Sequence, residues 1–551
     1  MPTRPSKPVP AGIADRPTAT GPDPSNQLGT QTALDDWFLS REERGNQATV
    51  LDQAHPPGQA WSFGNLVRPL IHGVTYFAEL ARVIERMRIG DLLVFADWRG
   101  DPDERLTDAP DSEVGQVLCR AAQRGVLVRG LVWRSHWDRL AFSATENRHL
   151  EEEINQAGGC CLLDTRVRAG GSHHQKFLVL RHPGRPELDV AFVGGIDLCH
   201  SRHDDAQHHG DPQAQPMALI YGERPPWHDI QLAITGPAVA DVETVFRERW
   251  TDPQPLTRDP LHQIADRIRG DVRPRVALPP QLPPPADTGP HAVQLLRTYG
   301  RRAAGYPFAP HGERSIARGY LKALAKARTL IYLEDQYLWS RDAANQIADT
   351  LRTHRQLHLI AVLPHHPDQD GRLSMPPNVV ARQAALSILR AAASDRVAVY
   401  GIENHAGTPV YVHAKVCVID DLWACVGSDN FNRRSWTHDS ELSVAVMDLT
   451  PQRDIGTGYA RQLRMDLARE HLDHEMNDTA PAAMFDTFAR SAAALRHWQD
   501  GGRQGTRPPG RLTPLRDPPT SPTTRLWAGP LYRMIYDPDA RPLARRLRGT
   551  Y

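Results

Sequence analysis

Two His-X-Lys triplets hold the residues best suited to chemistry. They are His174-Gln175-Lys176 and His413-Ala414-Lys415. In an extended strand, side chains two positions apart share a face, so each triplet points an imidazole and an ammonium the same way. Lysine is scarce, because only five of the 65 basic residues are lysines. Random placement beside 25 histidines predicts about 0.2 such pairs. The sequence contains two, which indicates that the His-X-Lys triplets have a function.

The surroundings of the two triplets are also repeated. Each triplet is followed by an apolar run that ends in glycine, first Gly194-Gly195-Ile196-Asp197 and then Gly427-Ser428-Asp429-Asn430. Each half next reaches a His-Asp pair before an alternating strand, first His228-Asp229 and then His438-Asp439. The repeat is about 200 residues long, which indicates a duplication and not a short-period solenoid. A pseudo-two-fold axis would bring both triplets to one pocket.

Two imidazoles and two ammonium groups in one pocket suit displacement at phosphorus. One neutral histidine attacks and forms a covalent phospho-histidine, while the other protonates the leaving oxygen. Lys176 and Lys415 would stabilise the charge that grows on the phosphoryl oxygens. The chemistry requires no metal ion, and no cofactor is expected.

Further polar residues of the repeats would complete such a pocket. Ser428 and Asn430 are placed to donate hydrogen bonds to the phosphoryl oxygens. A carboxylate on the far nitrogen of each histidine would fix its tautomer. Asp229 and Asp439 occupy equivalent positions after a histidine and are the best candidates, with Glu441 as the nearest alternative.

These motifs resemble those of the phospholipase D superfamily, whose defining pattern is H-x-K-x4-D followed by a Gly-Gly/Ser-x-x-Asn/Asp element. The second copy matches fully through Asp420, which the resemblance adds to the catalytic motif with a mainly structural part. The first copy has Arg181 where the aspartate is expected, and Asp189 is the candidate replacement after an inserted turn. The resemblance favours His174 as nucleophile and His413 as general acid, whereas the residues alone leave that order open.

The resemblance extends over about residues 70–450, through Trp227-His228-Asp229 and Ile331-Tyr332-Leu333-Glu334-Asp335-Gln336-Tyr337. It implies a set of residues that bind the substrate. They are Gly195, Asp197, Glu334, Gln336 and Glu441, beside Ser428, Asn430 and Trp98, the last of which the end of the buried run 92–98 places at a surface.

Alternating strands and helices must position these residues. Apolar periodicity predicts helices over 73–88, 112–124, 315–327 and 378–393, and strands over 92–98, 126–133, 329–337, 357–363 and 397–400. This alternation predicts an α/β fold of two tandem phospholipase D-like lobes, related by a pseudo-two-fold duplication, with the active site between them. The expected parts are a flexible tail (1–34), a first lobe (35–251), a Pro-rich linker or wrapping arm (252–290), a second lobe (291–495) and a Pro/Arg-rich extension (496–551).

Composition narrows the function. Equal numbers of basic and acidic residues, 65 of each, argue against a nucleic-acid partner. No apolar run is long enough for a membrane span, and six cysteines lack the spacing of a zinc site or a disulfide framework. We therefore expect a cytoplasmic chain, peripheral at a membrane surface, with a phospholipid substrate. The sequence does not set the oligomeric state and is compatible with a monomer.

The expected activity is phosphodiester hydrolysis in phospholipids, or transfer to another alcohol. The alternatives are a cardiolipin synthase-type phosphatidyltransferase, a nuclease of the same superfamily, and a scaffold with a relic site. One group of metal-compatible side chains, His203-Asp204-Asp205 with His208-His209, lies outside these motifs. A polar loop explains it more simply than a metal site.

Overall fold

The structure is a computed structural model that describes residues 34–135, 143–269, 275–369, 371, 375–448, 458–476, 480–516 and 518–551. The chain divides into two compact units, Met1–Asp36 and Trp37–Tyr551. The expected tail falls in the first unit, and its residues 1–33 lie outside the described residues.

The first half of the chain contributes eight strands within the described residues. They are β1 (Ser62–Ile71), β2 (Leu92–Asp97), β3 (Leu127–Trp133), β4 (Cys160–Asp164), β5 (Phe177–Arg181), β6 (Val190–Gly194), β7 (Trp227–His228) and β8 (Ile230–Thr235). Several of them, such as β2, β5 and β6, are fully buried and largely apolar, as expected for strands covered on both faces. The second half contributes β9 (His291–Tyr299), β10 (Glu313–Arg314), β11 (Leu330–Glu334), β12 (His358–Val362), β13 (Val397–Ile402), β14 (Tyr411–Val412), β15 (Val416–Ile419), β16 (Trp423–Gly427), β17 (Glu441–Asp448) and β18 (Leu512–Pro514).

One sheet combines both halves. Its order is β18-β13-β12-β11-β15-β16-β17-β9-β1-β8-β6-β5-β2-β3-β4, with β10 paired to β9. From the central antiparallel pair of β1 with β9, the same order of seven strands runs outward in each direction. On either side the three outer strands of the seven are parallel, and the next strand inward is antiparallel to them. The expected α/β fold with two duplicated lobes is confirmed. The strands β7 and β14 form a separate parallel pair between the halves.

Helices cover the sheet. They are α1 (Arg41–Arg44), α2 (Gly73–Glu85), α3 (Val114–Gln123), α4 (Ser143–Gln156), α5 (Ala238–Trp250), α6 (Pro260–Arg269), α7 (Ser315–Lys326), α8 (Arg341–Thr353), α9 (Met375–Ala393), α10 (Arg433–Thr437), α11 (Tyr459–Leu472), α12 (Pro481–Asp500), α13 (Pro522–Leu531) and α14 (Leu543–Leu547). In α2 the buried positions Phe77, Leu80 and Ile84 recur at helical spacing, so the amphipathic pattern that predicted this helix is the face that packs. None of the helices in the described ranges is long and apolar enough to span a membrane.

The proline-rich stretch between the halves follows the surface of the first lobe. It contains α6, and its residues 275–289 form neither helix nor strand. Gln281 donates hydrogen bonds to Ala240 O and Thr244 Oγ1 on α5. Arg181 donates to the carbonyl oxygen of Pro283. Side chains therefore supply hydrogen bonds to a segment whose prolines cannot join a sheet.

The aspartate of the second motif, Asp420, lies in the hairpin between β15 and β16. Asp420 has φ 53°, and its carboxylate accepts the backbone N–H groups of Arg328, Thr329 and Leu330 at 2.7–2.9 Å. It therefore fastens the start of β11. Because its carboxylate is committed to these donors, its inclusion among the catalytic residues is corrected to a structural role.

In the first lobe, Arg181 stands at the position that corresponds to Asp420, and its contacts are different. Arg181 forms an ion pair with Asp189 at 3.1 Å, and Asp189 accepts the backbone N–H of His182 at 2.6 Å. Asp189 therefore stabilises its own hairpin, whereas Asp420 anchors a neighbouring strand.

An Asp420→Ala variant should separate stability from chemistry. Three N–H groups would lose a charged acceptor, and we expect a loss of about 2–4 kcal/mol in the free energy of unfolding. Phosphodiester turnover per folded molecule should stay within about twofold. Urea unfolding and turnover measured on the same samples test this, with the exposed Asp395→Ala as control. A variant of wild-type stability that had lost turnover would contradict the structural role.

Candidate active site

The two His-X-Lys triplets lie immediately before matching strands, β5 in the first lobe and β15 in the second. Lys176 Nζ donates a hydrogen bond to the carbonyl oxygen of His174 at 2.9 Å. Lys415 Nζ makes the same bond to the carbonyl oxygen of His413. Both triplets therefore have the same geometry, in which the lysine ammonium donates a hydrogen bond to the backbone carbonyl of the histidine two residues earlier.

His413 is held by an acid of the opposite lobe. Its Nδ1 lies 2.6 Å from Asp229 Oδ2, and Asp229 also accepts the backbone N–H of Ile230 at 2.9 Å. Because an ionised carboxylate only accepts, Nδ1 carries the hydrogen and Nε2 is left for chemistry. The ring of Trp227 packs 4.9 Å from the imidazole, measured between ring centroids.

His174 has the reciprocal arrangement. Its Nδ1 lies 2.9 Å from Glu441 Oε2, and Ser428 Oγ donates to the same oxygen at 2.6 Å. Glu441 belongs to the second lobe and His174 to the first. Each imidazole is thus oriented by a buried carboxylate from the other half of the chain.

Glu441, and not Asp439, is the acid on His174, which corrects the expectation from the His-Asp pairs. Asp439 instead forms an ion pair with Arg434 at 2.6 Å and accepts the backbone N–H of Ser172 at 2.8 Å. Sheet register explains the difference. Gly195 N donates to Ile230 O, and Ser428 N donates to Leu442 O. The counterpart of Asp229 is therefore Glu441, two residues beyond the second His-Asp pair.

Lys176 lies beside a pair of acidic residues, Asp97 and Asp197. Its Nζ is 3.3 Å from Asp197 Oδ1 and 5.6 Å from the centroid of the Trp98 ring. Burial and the neighbouring Asp197 raise the pKa of Asp97 well above its usual range. Burial would also raise the pKa of Asp197, but Lys176 and Arg202 outweigh it and lower that pKa. Of the two carboxyl groups, Asp197 is therefore the one whose charged form is favoured, by the ion pair with Lys176.

Burial also shapes the second triplet. Burial and the nearby Lys415 ammonium lower the pKa of His413 to about 3, despite Asp229. Burial lowers the pKa of Lys415 to about 8, against the opposite pull of Asp229. Lys176 lowers the pKa of Lys415 further, and His413 lowers that of Asp197. Contacts also connect the triplets, because Arg202 lies beside Asp197 and stacks on Trp227, whose ring packs on His413. The two triplets therefore face one common region.

The structure brings several expected substrate-binding residues to this region. Trp98 packs its ring 6.0 Å from that of His174. Gly195 lies against Asp229, and a Cβ at this position would overlap the carboxylate. Asn430 is buried, and its Oδ1 accepts no hydrogen bond from the part of the chain that the structure describes. Ser428, expected to contact phosphate, is instead committed to Glu441.

Two other expected substrate-binding residues have different contacts. Gln336 Nε2 donates to the hydroxyl of Tyr411 at 2.7 Å. Glu334 accepts from His228 Nε2 at 2.7 Å and from His471 Nε2 at 2.8 Å, fully buried beneath the ribbon of β7 and β14. Glu334 is therefore corrected from a pocket residue to a member of a buried histidine cluster.

Sequence reasoning gave Arg202 no role. Its guanidinium stacks 3.9 Å from the centroid of the Trp227 ring and lies 3.4 Å from Asp197 Oδ2. An isolated arginine in a chain with so many arginines carries no local signal. The position of Arg202 beside Asp197 depends on the path of the loop that follows β6.

Two duplicated lobes that share one region with two histidines define the class of protein. Two family models match the chain, Phospholipase D over residues 101–362 and the cardiolipin synthase, PLD-like domain over residues 320–455. The chain belongs to the phospholipase D superfamily.

Individual relatives agree. The chain is 26% identical to phospholipase D alpha 2 of Oryza sativa subsp. japonica over 66% of this chain and 58% of that protein. It is 25% identical to phospholipase D alpha 1 of Vigna unguiculata over 69% of this chain and 60% of that protein. The match thus spans less than two thirds of either relative. The crystal structure of a phosphatidylserine synthase from Haemophilus influenzae shares the fold, with a TM-score of 0.51 at 14% identity, over 87% of this chain and 99% of that one.

The two acids near His174 can be ranked by matched substitutions. Glu441→Gln keeps the shape but removes the charge that holds Nδ1–H, and we expect kcat to fall by at least about 100-fold. Asp439→Asn should change kcat by less than about fivefold, because Asp439 does not touch the ring. Steady-state rates across pH, together with unfolding midpoints, measure both variants. The opposite ranking would restore Asp439 as the orienting acid.

Proposed function

We propose that the chain is a phosphodiesterase of the phospholipase D type, which cleaves phospholipids through a covalent phospho-histidine. One observation carries the proposal: each of two histidines has its Nδ1 bound to a buried carboxylate. Each is also followed, two residues later in the chain, by a lysine that donates to the carbonyl oxygen of the histidine. This leaves two Nε2 atoms for a nucleophile and a general acid.

In the proposed reaction, Nε2 of one histidine bonds to phosphorus as the bond to the leaving oxygen breaks. The second histidine gives its Nε2 proton to that oxygen, and the alcohol leaves. Water then attacks the phosphorus of the phospho-histidine: its hydroxyl bonds to phosphorus, its proton goes to the second histidine, and the phosphorus–Nε2 bond breaks. The first histidine returns to its neutral form, so protons and bonds balance. An alcohol in place of water gives transfer.

Two observations bear on the order of the histidines. The family resemblance favours His174 as the nucleophile. The pKa of His413, lowered to about 3 by burial and Lys415, keeps that ring neutral in the ligand-free chain and suits a nucleophile equally well. If His413 is the acid, the anionic phosphate of the substrate must raise its pKa on binding.

Phospholipid is the proposed substrate because the relatives in the comparison are phospholipases D and because the chain has no excess of basic residues that would favour nucleic acid. A phosphatidyltransferase of the cardiolipin synthase type is the second candidate, and the family match over residues 320–455 favours it. The two activities differ only in whether water or a lipid alcohol attacks the intermediate.

Trapping the intermediate tests the proposal directly. We expect alkaline quenching of the chain with phosphatidylcholine micelles to leave a phosphatidyl adduct on one histidine, found by mass spectrometry. His174→Ala and His413→Ala should each lose at least about 1,000-fold in turnover, because each removes an essential proton or electron pair. The exposed His149→Ala serves as the control. An adduct on His413 would reverse the roles, and full turnover in either alanine variant would refute the mechanism.

The alkaline limb of the pH profile should report Lys415. Its pKa, lowered by burial to about 8, means that the ammonium is present below about pH 8 and is lost above it. We therefore expect kcat/KM to fall above this pH as the phosphoryl oxygens lose a charge partner. Lys415→Arg, which stays charged, should lower the maximum but move the limb upward. Lys326→Arg is the matched control, and an unmoved limb in Lys415→Arg would assign the limb to another group.

A further inference from the structure

A cluster of buried imidazoles and carboxylates includes His228 of β7 and lies outside the candidate active site. Four segments that are far apart in the sequence meet there: the residue before α2, the loop before β7, β7 itself and α11. They contribute His72, His208, His228 and Glu470. The three histidines are at most 1% exposed, and the Glu470 side chain is 9% exposed.

Every one of the three imidazoles directs a nitrogen at the same carboxylate. His72 Nε2 lies 2.7 Å from Glu470 Oε2. His208 Nε2 and His228 Nδ1 lie 2.9 and 3.1 Å from Glu470 Oε1. The four ligand atoms lie within 4.8 Å of one another. A tetrahedral zinc site with bonds of about 2.0–2.1 Å separates its ligand atoms by about 3.3 Å, which lies between the nitrogen–oxygen distances of 2.7–3.1 Å and the 4.8 Å limit on all the ligand atoms.

The ring positions agree with a common centre. Ring centroids are 4.8 Å apart for His72 and His208, 4.8 Å for His72 and His228, and 5.7 Å for His208 and His228. Three imidazoles on one tetrahedral zinc ion place their centroids about 5 Å apart. Hydrogen bonds from three imidazoles to one carboxylate would not require this spacing between the ring centroids.

We propose that this cluster is a structural metal site that binds one zinc ion. Three neutral imidazole nitrogens and one carboxylate oxygen are a donor set that zinc prefers. The ion would neutralise Glu470 and the neighbouring Glu334, two carboxylates that the fold buries together.

The second nitrogen of His228 supports the proposal. A metal-bound histidine usually donates its other N–H to a carboxylate, which fixes the ring. His228 Nε2 has Glu334 at 2.7 Å, and Glu334 is itself held by His471. His208 Nδ1 lies 3.6 Å from Asp204 Oδ2, beyond hydrogen-bond distance but near enough for an ion pair. Asp204 and His208 belong to the metal-compatible loop of the sequence, whose other histidines are not in the cluster.

Backbone conformation supports it further. His72 and His208 have φ values of 51° and 56°, in the left-handed region that residues with a side chain seldom adopt. Both imidazoles reach Glu470 from these conformations. A metal bond is a strong enough interaction to maintain both.

The site would act on catalysis through the backbone of β7. His228 O accepts the N–H groups of His413 and Ala414, and His228 is followed directly by Asp229. An ion that fixed His228 would therefore hold in place both the second-lobe histidine and its orienting acid, while touching neither. This role differs from the metal-free chemistry expected at the phosphorus.

Metal content is the first test. The full chain, expressed without a histidine tag and dialysed after exposure to Zn²⁺, should retain about one zinc ion per molecule by elemental analysis. Co²⁺ in its place should give the intense visible absorption of a tetrahedral ion. His208→Ala and Glu470→Gln should hold less than about 0.1 equivalent, whereas the exposed His209→Ala on the same loop should match the wild type.

Stability gives a second readout that needs no variant. A chelator should lower the unfolding midpoint of the wild-type chain, and Zn²⁺ should restore it. A wild-type chain without bound metal and insensitive to chelator would overturn the proposal and leave a hydrogen-bonded histidine network. Equal zinc content in the Glu470→Gln chain would overturn it too. Neither measurement uses turnover, so both stand apart from the proposed phosphodiesterase activity.

Discussion

An exchange of carboxylates across the lobe boundary is the constraint on which the candidate site depends. Asp229 of the first lobe holds His413, and Glu441 of the second holds His174. Neither lobe therefore contains an oriented histidine without the other. The antiparallel pair of β1 with β9 joins the halves into one sheet, and β17 beside β9 carries Glu441. The pairing at the centre of the sheet thus sets the geometry of the candidate site.

Burial gives the region its electrostatic character. Ionised groups removed from water are costly unless they are paired, and here Asp229 and Glu441 are bound to imidazoles and Asp197 to Lys176. Lys176 lowers the pKa of Asp197, whereas burial and Asp197 raise that of Asp97. The same burial lowers the pKa values of His413 and Lys415. Groups in such surroundings are oriented before a phosphodiester arrives, so little reorganisation is needed during the reaction.

Much of the fold was accessible from local pattern. Apolar periodicity located α2 and β2 to within a few residues, because a helical stripe and a buried strand leave their period in the sequence. The duplication showed in the spacing of the two triplets, and both triplets reach one region. Asp420 and Glu334 were harder, because a carboxylate that binds backbone N–H groups or buried imidazoles looks the same in a sequence as one that faces substrate.

Residue types and their repetition established two histidines, two lysines and a doubled α/β architecture. The tertiary structure alone decided which acid meets which ring. The identical His-Asp pairs suggested Asp439, yet the register of β17 against β16 brings Glu441 to His174. Likewise, His72 and Glu470 are almost 400 residues apart and share no motif. Side chains alternate along a strand and the chain returns over long distances, so such partners are set by strand register and helix packing and leave no local period.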